Sequence, residues 1–322
     1  MSKTIPPSRS SSSPQSLRVT PDSLPLAQSE LHWEIDGRDW PNRSASRFVD
    51  AGGLTWHVQL AGHGPALLLL HGTGASSHSW RDLFPLLSRH FTVLAPDLPG
   101  HGFTGMPPSR GLSLPGMAKL LGDLLNALSF QPLLVVGHSA GAALGAQMCL
   151  DARLSPQWLV SINGAWQPFP GLAGKIFSPL ARVLSHSHLP ARLLAARASD
   201  RRVVERLLEK TGSRIDRDMV DSYMKLVRST RHNAAALGMM ANWDLNPLME
   251  RLTALRCRLY LLVGDRDRMV SPEQAEWLHH RMPTACVHRI AGCGHLLHEE
   301  RPAEIAALIE KLWQSSADQG AI

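Results

Sequence analysis

The chain of 322 residues is 44% hydrophobic, which is enough for one large core that carries an inserted lobe. Its apolar runs are strand-sized and fall well short of the roughly 18 residues that span a bilayer, so we expect no transmembrane segment. The net charge is +6, and residues 175–231 alone hold 13 Lys and Arg against 6 Asp and Glu, so the remainder is close to neutral.

The N-terminal segment and the cysteines bear on where the protein works. Residues 1–30 are rich in Ser and Pro and lack the compact apolar segment of a secretory signal, which predicts a disordered tail. No C-x-x-C pair and no zinc-ligand spacing occurs among Cys149, Cys257, Cys286 and Cys293. We therefore expect reduced thiols in a cytoplasmic protein, with no metal ion and no cofactor.

Strand and helix patterns alternate through most of the chain. Strands are predicted at 47–50, 54–60, 67–70, 92–95, 133–136, 159–162, 259–263 and 287–290. Helices are predicted at 79–89, 114–128, 272–281 and 303–313, with another directly after residue 139. This alternation indicates a mostly parallel sheet with helices on both faces.

The alternation lapses over residues 164–245, where Pro- and Gly-broken loops separate amphipathic helical stretches and no convincing strand occurs. We therefore predict a helical cap over 164–245. It is inserted into an α/β core formed by residues 31–163 and 246–322.

A nucleophile elbow is the most informative motif. Gly137-His138-Ser139-Ala140-Gly141 directly follows an apolar strand and precedes a run of small residues. This G-x-S-x-G spacing is typical of a sharp strand-to-helix turn that exposes the serine hydroxyl, while the glycines permit close backbone approaches. Ser139 is therefore the predicted nucleophile.

A serine hydroxyl needs a base within hydrogen-bond reach, and the base needs an orienting acid. His295 lies in a Gly-flanked loop after the last strand and is the predicted base. Asp267 follows the preceding strand and is the predicted acid, with Asp265 and Asp244 as weaker alternatives. The carboxyl ends of parallel strands share one edge of a sheet, so these side chains can converge on Ser139.

The developing oxyanion needs preorganised backbone donors. We assign this role to the N–H groups of Ala140, at the start of a helix, and Thr73, in the loop after the third strand. A simple glycine turn is the alternative for that loop. His71, His138 and Trp243 are candidate pocket residues, although the Trp is equally compatible with packing.

The basic segment within the predicted cap has two interpretations. Its arginines are compatible with the solvated faces of amphipathic helices, which is the more common arrangement. Alternatively, a positive lid could attract a carboxylate-bearing ligand. No nucleic-acid groove is expected, since the segment has few aromatic residues on which bases could stack.

Several motifs together resemble those of the α/β-hydrolase family over roughly residues 45–315, namely 71–74, 97–102, 137–141, 264–267 and 294–295. The resemblance implies an eight-stranded, mostly parallel sheet with a helical cap inserted after the sixth strand. The resemblance also favours serine-hydrolase chemistry over that of haloalkane dehalogenases or epoxide hydrolases, because those relatives carry Asp at the elbow where this chain has Ser139.

Further segments resemble the BchO branch of that family, namely 36–43, 72–81, 212–214 and 236–244. These are named as magnesium-chelatase accessory proteins of bacteriochlorophyll synthesis. The resemblance implies a photosynthetic role, a link to magnesium chelatase subunits, and a carboxylate-bearing tetrapyrrole as ligand. The resulting hypothesis is a serine hydrolase of an ester or similar acyl bond. The alternative is a non-catalytic porphyrin-binding or chelatase accessory protein.

Overall fold

The structure of the protein, a computed structural model, describes residues 30–168, 189–197 and 200–319. The predicted Ser- and Pro-rich tail therefore lies outside the described residues, apart from Glu30. The same holds for residues 169–188 and 198–199 of the predicted cap.

One sheet forms the centre of the fold. Its strands are β1 (Ser46–Ala51), β2 (Leu54–Ala61), β3 (Ala66–Leu70), β4 (Thr92–Pro96), β5 (Leu134–His138), β6 (Trp158–Ile162), β7 (Arg258–Gly264) and β8 (Cys286–Ile290). Their order is β1-β2-β4-β3-β5-β6-β7-β8. β2 runs antiparallel to β1 and β4, and the other pairs are parallel. The predicted mostly parallel, eight-stranded sheet is confirmed, with each strand end within two residues of its predicted position.

Helices flank the sheet. Those of the described ranges are α1 (Trp33–Asp36), α2 (Leu83–Leu87), α3 (Leu114–Ala127), α4 (Ala140–Leu150), α5 (Leu189–Arg197), α6 (Arg201–Glu209), α7 (Arg217–Arg228), α8 (Thr230–Asn242), α9 (Asn246–Arg251), α10 (Glu273–Arg281), α11 (Leu297–Glu300) and α12 (Pro302–Gln319). Short 3₁₀ turns cover Arg43–Ala45, Ser77–Trp80, Ser109–Leu112 and Leu252–Ala254. None of the helices in these ranges is long and apolar enough to cross a membrane.

The predicted continuous helix over residues 79–89 is wrong. A 3₁₀ turn ends at Trp80, and a separate five-residue helix spans Leu83–Leu87. Pro85 explains the break, because a helix running from residue 79 would need its missing N–H and would place its ring against the carbonyl of Arg81.

The strand period of two sorts side chains into two buried layers. In β3, Leu68 and Leu70 pack with the apolar faces of α3 and α4. Leu67 and Leu69 point to the opposite face and pack with α2 and α12. The sheet is thus buried on both sides, as a parallel sheet requires.

Between β6 and β7 the described chain forms helices joined by loops, with no strand in its described residues, and we call residues 189–197 and 200–242 the cap. Its helices begin where short polar side chains bond free backbone N–H groups. Asp200 caps α6, Asp216 caps α7 and Ser229 caps α8.

Asp97 anchors the loops at the carboxyl end of β4. It is fully buried; Oδ1 accepts from Ser77 N (2.7 Å), and Oδ2 accepts from His57 Nδ1 (2.8 Å) and Phe103 N (3.0 Å). Burial alone would raise the pKa of Asp97, but the charge and hydrogen bond of His57 outweigh it and hold that pKa below its ordinary value. One ionised carboxylate therefore joins three separate segments.

We predict that Asp97→Asn lowers the free energy of unfolding by about 3 kcal/mol, because an amide at this fully buried position cannot accept from all three donors that now bond the carboxylate. Urea denaturation measures this change. Asp50→Asn is the matched control: Asp50 is exposed and, among the described residues, its side chain accepts from Thr55 Oγ1 alone, so its effect should stay within about 0.5 kcal/mol. Equal effects of the two substitutions would contradict the anchoring role.

Candidate active site

Ser139 occupies the sharp turn between β5 and α4. Its backbone has φ +52° and ψ −117°, a conformation that a residue with a side chain rarely adopts. The turn is held by Ser139 N donating to Ile162 O (3.0 Å) and by Ala165 N donating to Ser139 O (3.1 Å). The strain is localised at the one serine that the motif singles out.

The flanking glycines are required by close packing. A Cβ on Gly137 would lie 2.4 Å from Ala142 N, and a Cβ on Gly141 would lie 2.0 Å from Leu70 O. Neither position can hold a side chain without moving the backbone. The elbow therefore depends on both glycines of the pentapeptide.

Asp267 and His295 are joined by a hydrogen bond. His295 Nδ1 donates to Asp267 Oδ2 over 2.8 Å, and the side chains are 10% and 1% exposed respectively. Asp267 Oδ1 accepts from the N–H groups of Met269 (2.8 Å) and Val270 (2.9 Å), which fix the carboxylate in its loop. The imidazole is thereby held with Nε2 as the nitrogen left for other chemistry.

The two other candidate acids have separate structural roles. Asp265 Oδ1 accepts from Gly292 N (2.7 Å) and is exposed. Asp244 Oδ1 accepts from the backbone and side chain of Asn246 at the start of α9. The structure therefore brings Asp267, and neither alternative, against His295.

His138, the residue directly before Ser139, contacts the loop that carries His295. The rings of His138 and His295 are 4.7 Å apart, and His138 Nε2 donates to His295 O (3.0 Å). Within the described part of the chain, the Ser139 hydroxyl makes no hydrogen bond to His295. Such contacts are commonly longer in a ligand-free site and shorten when the reacting complex forms.

Asn163 is a positioning residue that the sequence analysis missed. Its Nδ2 donates to the carbonyls of Gly294 and His295 (2.9 Å each), and its Oδ1 accepts from Gly264 N (2.8 Å). Asn163 follows β6 with φ +46°, so one side chain joins the ends of β6 and β7 to the His295 loop. An Asn directly after an apolar strand was the available signal.

The predicted oxyanion donors lie next to Ser139. A Cβ on Gly72 would fall 3.1 Å from Ser139 Cβ, which places the 71–74 loop against the elbow. Among the described residues, the N–H groups of Thr73 and Ala140 donate to no protein acceptor. Two free donors thus flank the serine. Thr73 Oγ1 donates to Met239 Sδ of the cap (3.4 Å).

The predicted pocket histidines are buried. His71 Nδ1 donates to Gly72 O and His71 Nε2 accepts from Leu98 N, both over 2.8 Å, so its neutral ring holds the loop. Burial lowers the pKa values of His71 and His138. Trp243 is half-buried against the core, and its Nε1 has no partner among the described residues.

The cap also holds the 71–74 loop, which carries the predicted oxyanion donor Thr73. His232 of α8 accepts from Gly102 N at Nδ1 and donates to Gly74 O from Nε2, each over 3.1 Å. Burial lowers the pKa of His232 to about 4, so the neutral ring required by this pattern is present at neutral pH. No sequence motif marked His232.

Part of the cap's positive charge is neutralised. Ion pairs join Arg201 to Glu205 and Asp221, Lys225 to Asp39, and Arg231 to Glu30. Exposed cations without an ion-pair partner in the described ranges include Arg202, Lys210 and Arg214. In those same ranges, no group of three or more His, Cys, Asp or Glu side chains is placed to hold a metal ion.

Comparison with known proteins identifies the family. The model of the alpha/beta hydrolase family matches residues 67–308. The chain belongs to the alpha/beta hydrolase family. It is 37% identical over 273 residues to the "Magnesium-chelatase 30 kDa subunit" of Rhodobacter capsulatus, covering 84% of this chain and 95% of that protein.

Solved structures share the fold of this alpha/beta hydrolase family member. A fold relative from Burkholderia ambifaria has a TM-score of 0.69 at 24% identity, covering 82% of this chain and 97% of the other. A serine hydrolase involved in carbazole degradation has a TM-score of 0.66 at 23% identity, covering 84% and 98%. These likenesses show the common architecture.

A buried carboxyl joins the cap to the core of this family member. Glu299 Oε1 accepts from Tyr223 of α7 (2.8 Å) and from Ser79, and Ser79 Oγ in turn accepts from His298 Nε2 (2.8 Å). The Glu299 side chain is 1% exposed. Burial raises the pKa of Glu299 to about 8, although these hydrogen bonds and the charge of Arg81 lower it.

This carboxyl predicts a pH-dependent stability. The pKa of Glu299 rises from 4.5 to about 8 on folding, so the native state binds the proton more tightly than the unfolded chain does. Stability contributed by this group is complete below pH 4.5 and is lost as the pH rises towards 8. Glu299→Gln keeps the acceptor and removes the titration. Urea unfolding at several pH values should show wild type losing stability relative to the variant across this window, whereas parallel profiles would contradict the assignment.

Proposed function

We propose that this protein is a serine hydrolase that cleaves an ester or similar acyl bond. The observation that carries the proposal is the buried hydrogen bond between Asp267 and His295, at the same sheet edge as the strained Ser139 elbow. A nucleophile on an elbow, an imidazole and a buried acid, in this chain order, are the parts that acyl transfer needs.

The chemistry follows from these positions. Ser139 Oγ attacks the acyl carbon while His295 Nε2 takes its proton, and Asp267 stabilises the imidazolium through Nδ1–H. The carbonyl oxygen becomes an oxyanion that accepts hydrogen bonds from Thr73 N and Ala140 N. Collapse breaks the bond to the leaving group, which takes the proton from His295. Water, deprotonated by His295, then releases the acid and restores Ser139.

A carboxylate-bearing tetrapyrrole ester is the proposed substrate class. Two observations support it: the relative of matching length is named as a magnesium-chelatase subunit, and the segment spanning residues 175–231 has an excess of seven positive charges. Exposed cations such as Arg202, Lys210 and Arg214 would attract the propionates of such a molecule. On this proposal the activity belongs to bacteriochlorophyll synthesis and takes place in the cytoplasm.

The second candidate is a non-catalytic accessory protein that binds porphyrin or chelatase subunits. The 37% identity to the Rhodobacter capsulatus protein, over 95% of its length, favours it. In that case the elbow would be retained as a binding feature.

A fluorophosphonate probe should label Ser139, because the probe reacts with a serine that has an adjacent base. Asp267→Asn should slow labelling by about 10²–10⁴-fold, since the imidazole loses the acceptor that orients it. Asp265→Asn is the matched control, two residues away, and should label at the wild-type rate. Mass spectrometry of the labelled peptide measures both. A folded wild-type protein that is not labelled would overturn the proposed hydrolase.

Complementation separates the two candidate functions. In a bacteriochlorophyll-producing strain that lacks this chain, Ser139→Ala should fail to restore pigment although the protein accumulates normally, because the alanine cannot form the acyl intermediate. Pigment extraction and immunoblotting measure the two quantities. Full restoration by Ser139→Ala would instead establish the accessory role.

A further inference from the structure

A turn of the cap is bonded to both loops of the Asp267–His295 pair. This cap turn, residues 211–214, connects α6 to α7. The carbonyl of Thr211 accepts from His295 N and from Arg268 N, each over 3.2 Å. One carbonyl oxygen of the cap therefore bridges the loop that carries the imidazole and the loop that carries its acid.

The next two residues extend the same contact. Ser213 Oγ accepts from Leu296 N (2.8 Å), directly after His295. Arg214 N donates to Oε2 of Glu300 (3.2 Å). The other oxygen of this carboxylate, Oε1, accepts from the N–H of Gly294 (2.8 Å), the residue directly before His295. The backbone N–H groups at Gly294, His295 and Leu296 are thus tied to the cap turn, directly or through Glu300.

The backbones of the cap turn and of the two loops pack closely at this junction. Gly212 has φ +84°, and a Cβ there would lie 2.0 Å from Arg266 O. A Cβ on Gly294 would lie 2.3 Å from the carbonyl carbon of Gly212. Ser213 is 4% exposed, so water cannot readily replace its hydroxyl. The cap turn is in direct backbone contact with both loops.

The core holds the ring of His295 through Asp267 and holds its backbone through the carbonyl group. Its carbonyl accepts from Asn163 and His138, whereas its N–H reaches the cap. The orientation of the imidazole thus depends on two bodies, the sheet edge and the cap. Displacement of the cap would remove the acceptors of His295 N and Leu296 N together.

We propose that the cap turn, residues 211–214, is a positioning element that holds His295 and Asp267 in register, so that docking of the cap completes the pair. The effect of the cap turn on the reactivity of Ser139 rests on the proposed hydrolase function. Its effect on the orientation of the His295 imidazole does not. The cap then controls the reactivity of Ser139.

Two substitutions with matched controls test this. Gly212→Ala inserts a methyl group against Arg266 O, and Gly53→Ala imposes similar strain at φ +78° in open space on a remote turn. Ser213→Ala removes the acceptor of Leu296 N. Ser222→Ala, in α7, removes a hydroxyl whose one partner in the described part of the chain is Asp218 O of its own helix. Circular dichroism checks that each variant folds. If Gly212→Ala does not fold, Ser213→Ala alone decides the outcome.

Two readouts separate this proposal from the function. The first is the downfield proton resonance of His295 Nδ1–H, assigned by its loss in Asp267→Asn. We expect it to shift or broaden in Gly212→Ala and Ser213→Ala and to stay unchanged in both controls. The second is the fluorophosphonate labelling rate of Ser139, which should fall by up to about 100-fold in the two test variants.

The possible results are distinct. If wild type is not labelled, the hydrolase proposal fails, and the resonance still decides whether the cap turn positions His295. An unchanged resonance in folded Ser213→Ala, together with wild-type labelling where labelling occurs, would overturn the positioning role.

Discussion

The hydrogen bond between Asp267 and His295 has to be held at a junction where no single element supplies all the support. Asp267 is held by backbone N–H groups of its own loop. His295 is held through hydrogen bonds to its backbone carbonyl and N–H groups. Asn163 and His138 hold the carbonyl of His295 from the core, and Thr211 holds its N–H from the cap. In the proposed hydrolase this pair has to orient a proton acceptor to within a fraction of an ångström, and these outer contacts would supply that precision.

Many of the buried histidines in the described chain are uncharged at neutral pH. Burial lowers the pKa values of His71, His78, His101, His138, His232 and His298. Asp97 is the buried anion among them, and it is used in holding loops. Neutral rings can act as both donors and acceptors, which allows backbone groups of the loops to be bonded without placing cations beside the serine.

Much of the fold could be predicted from the sequence, because strand periodicity and the G-x-S-x-G turn are local signals. Ser139, Asp267 and His295 each follow a strand, so their shared edge was foreseeable. The sequence could not decide among Asp267, Asp265 and Asp244, since all three lie near ends of elements and only packing determines which one meets the imidazole. Asn163 and the cap turn could not be found this way, because their partners lie up to 132 residues away in the sequence. The break in the predicted helix at 79–89 was foreseeable from Pro85, which is a local signal. The prediction followed the helical pattern of apolar residues instead.

The most direct test of the account is a crystal structure of the protein with a phosphonate covalently bound to Ser139. The account predicts that the phosphonyl oxygen lies about 2.7–3.1 Å from both Thr73 N and Ala140 N, with His295 Nε2 facing the bonded Oγ. A phosphonyl oxygen directed to solvent, or an imidazole turned away from Oγ, would contradict it.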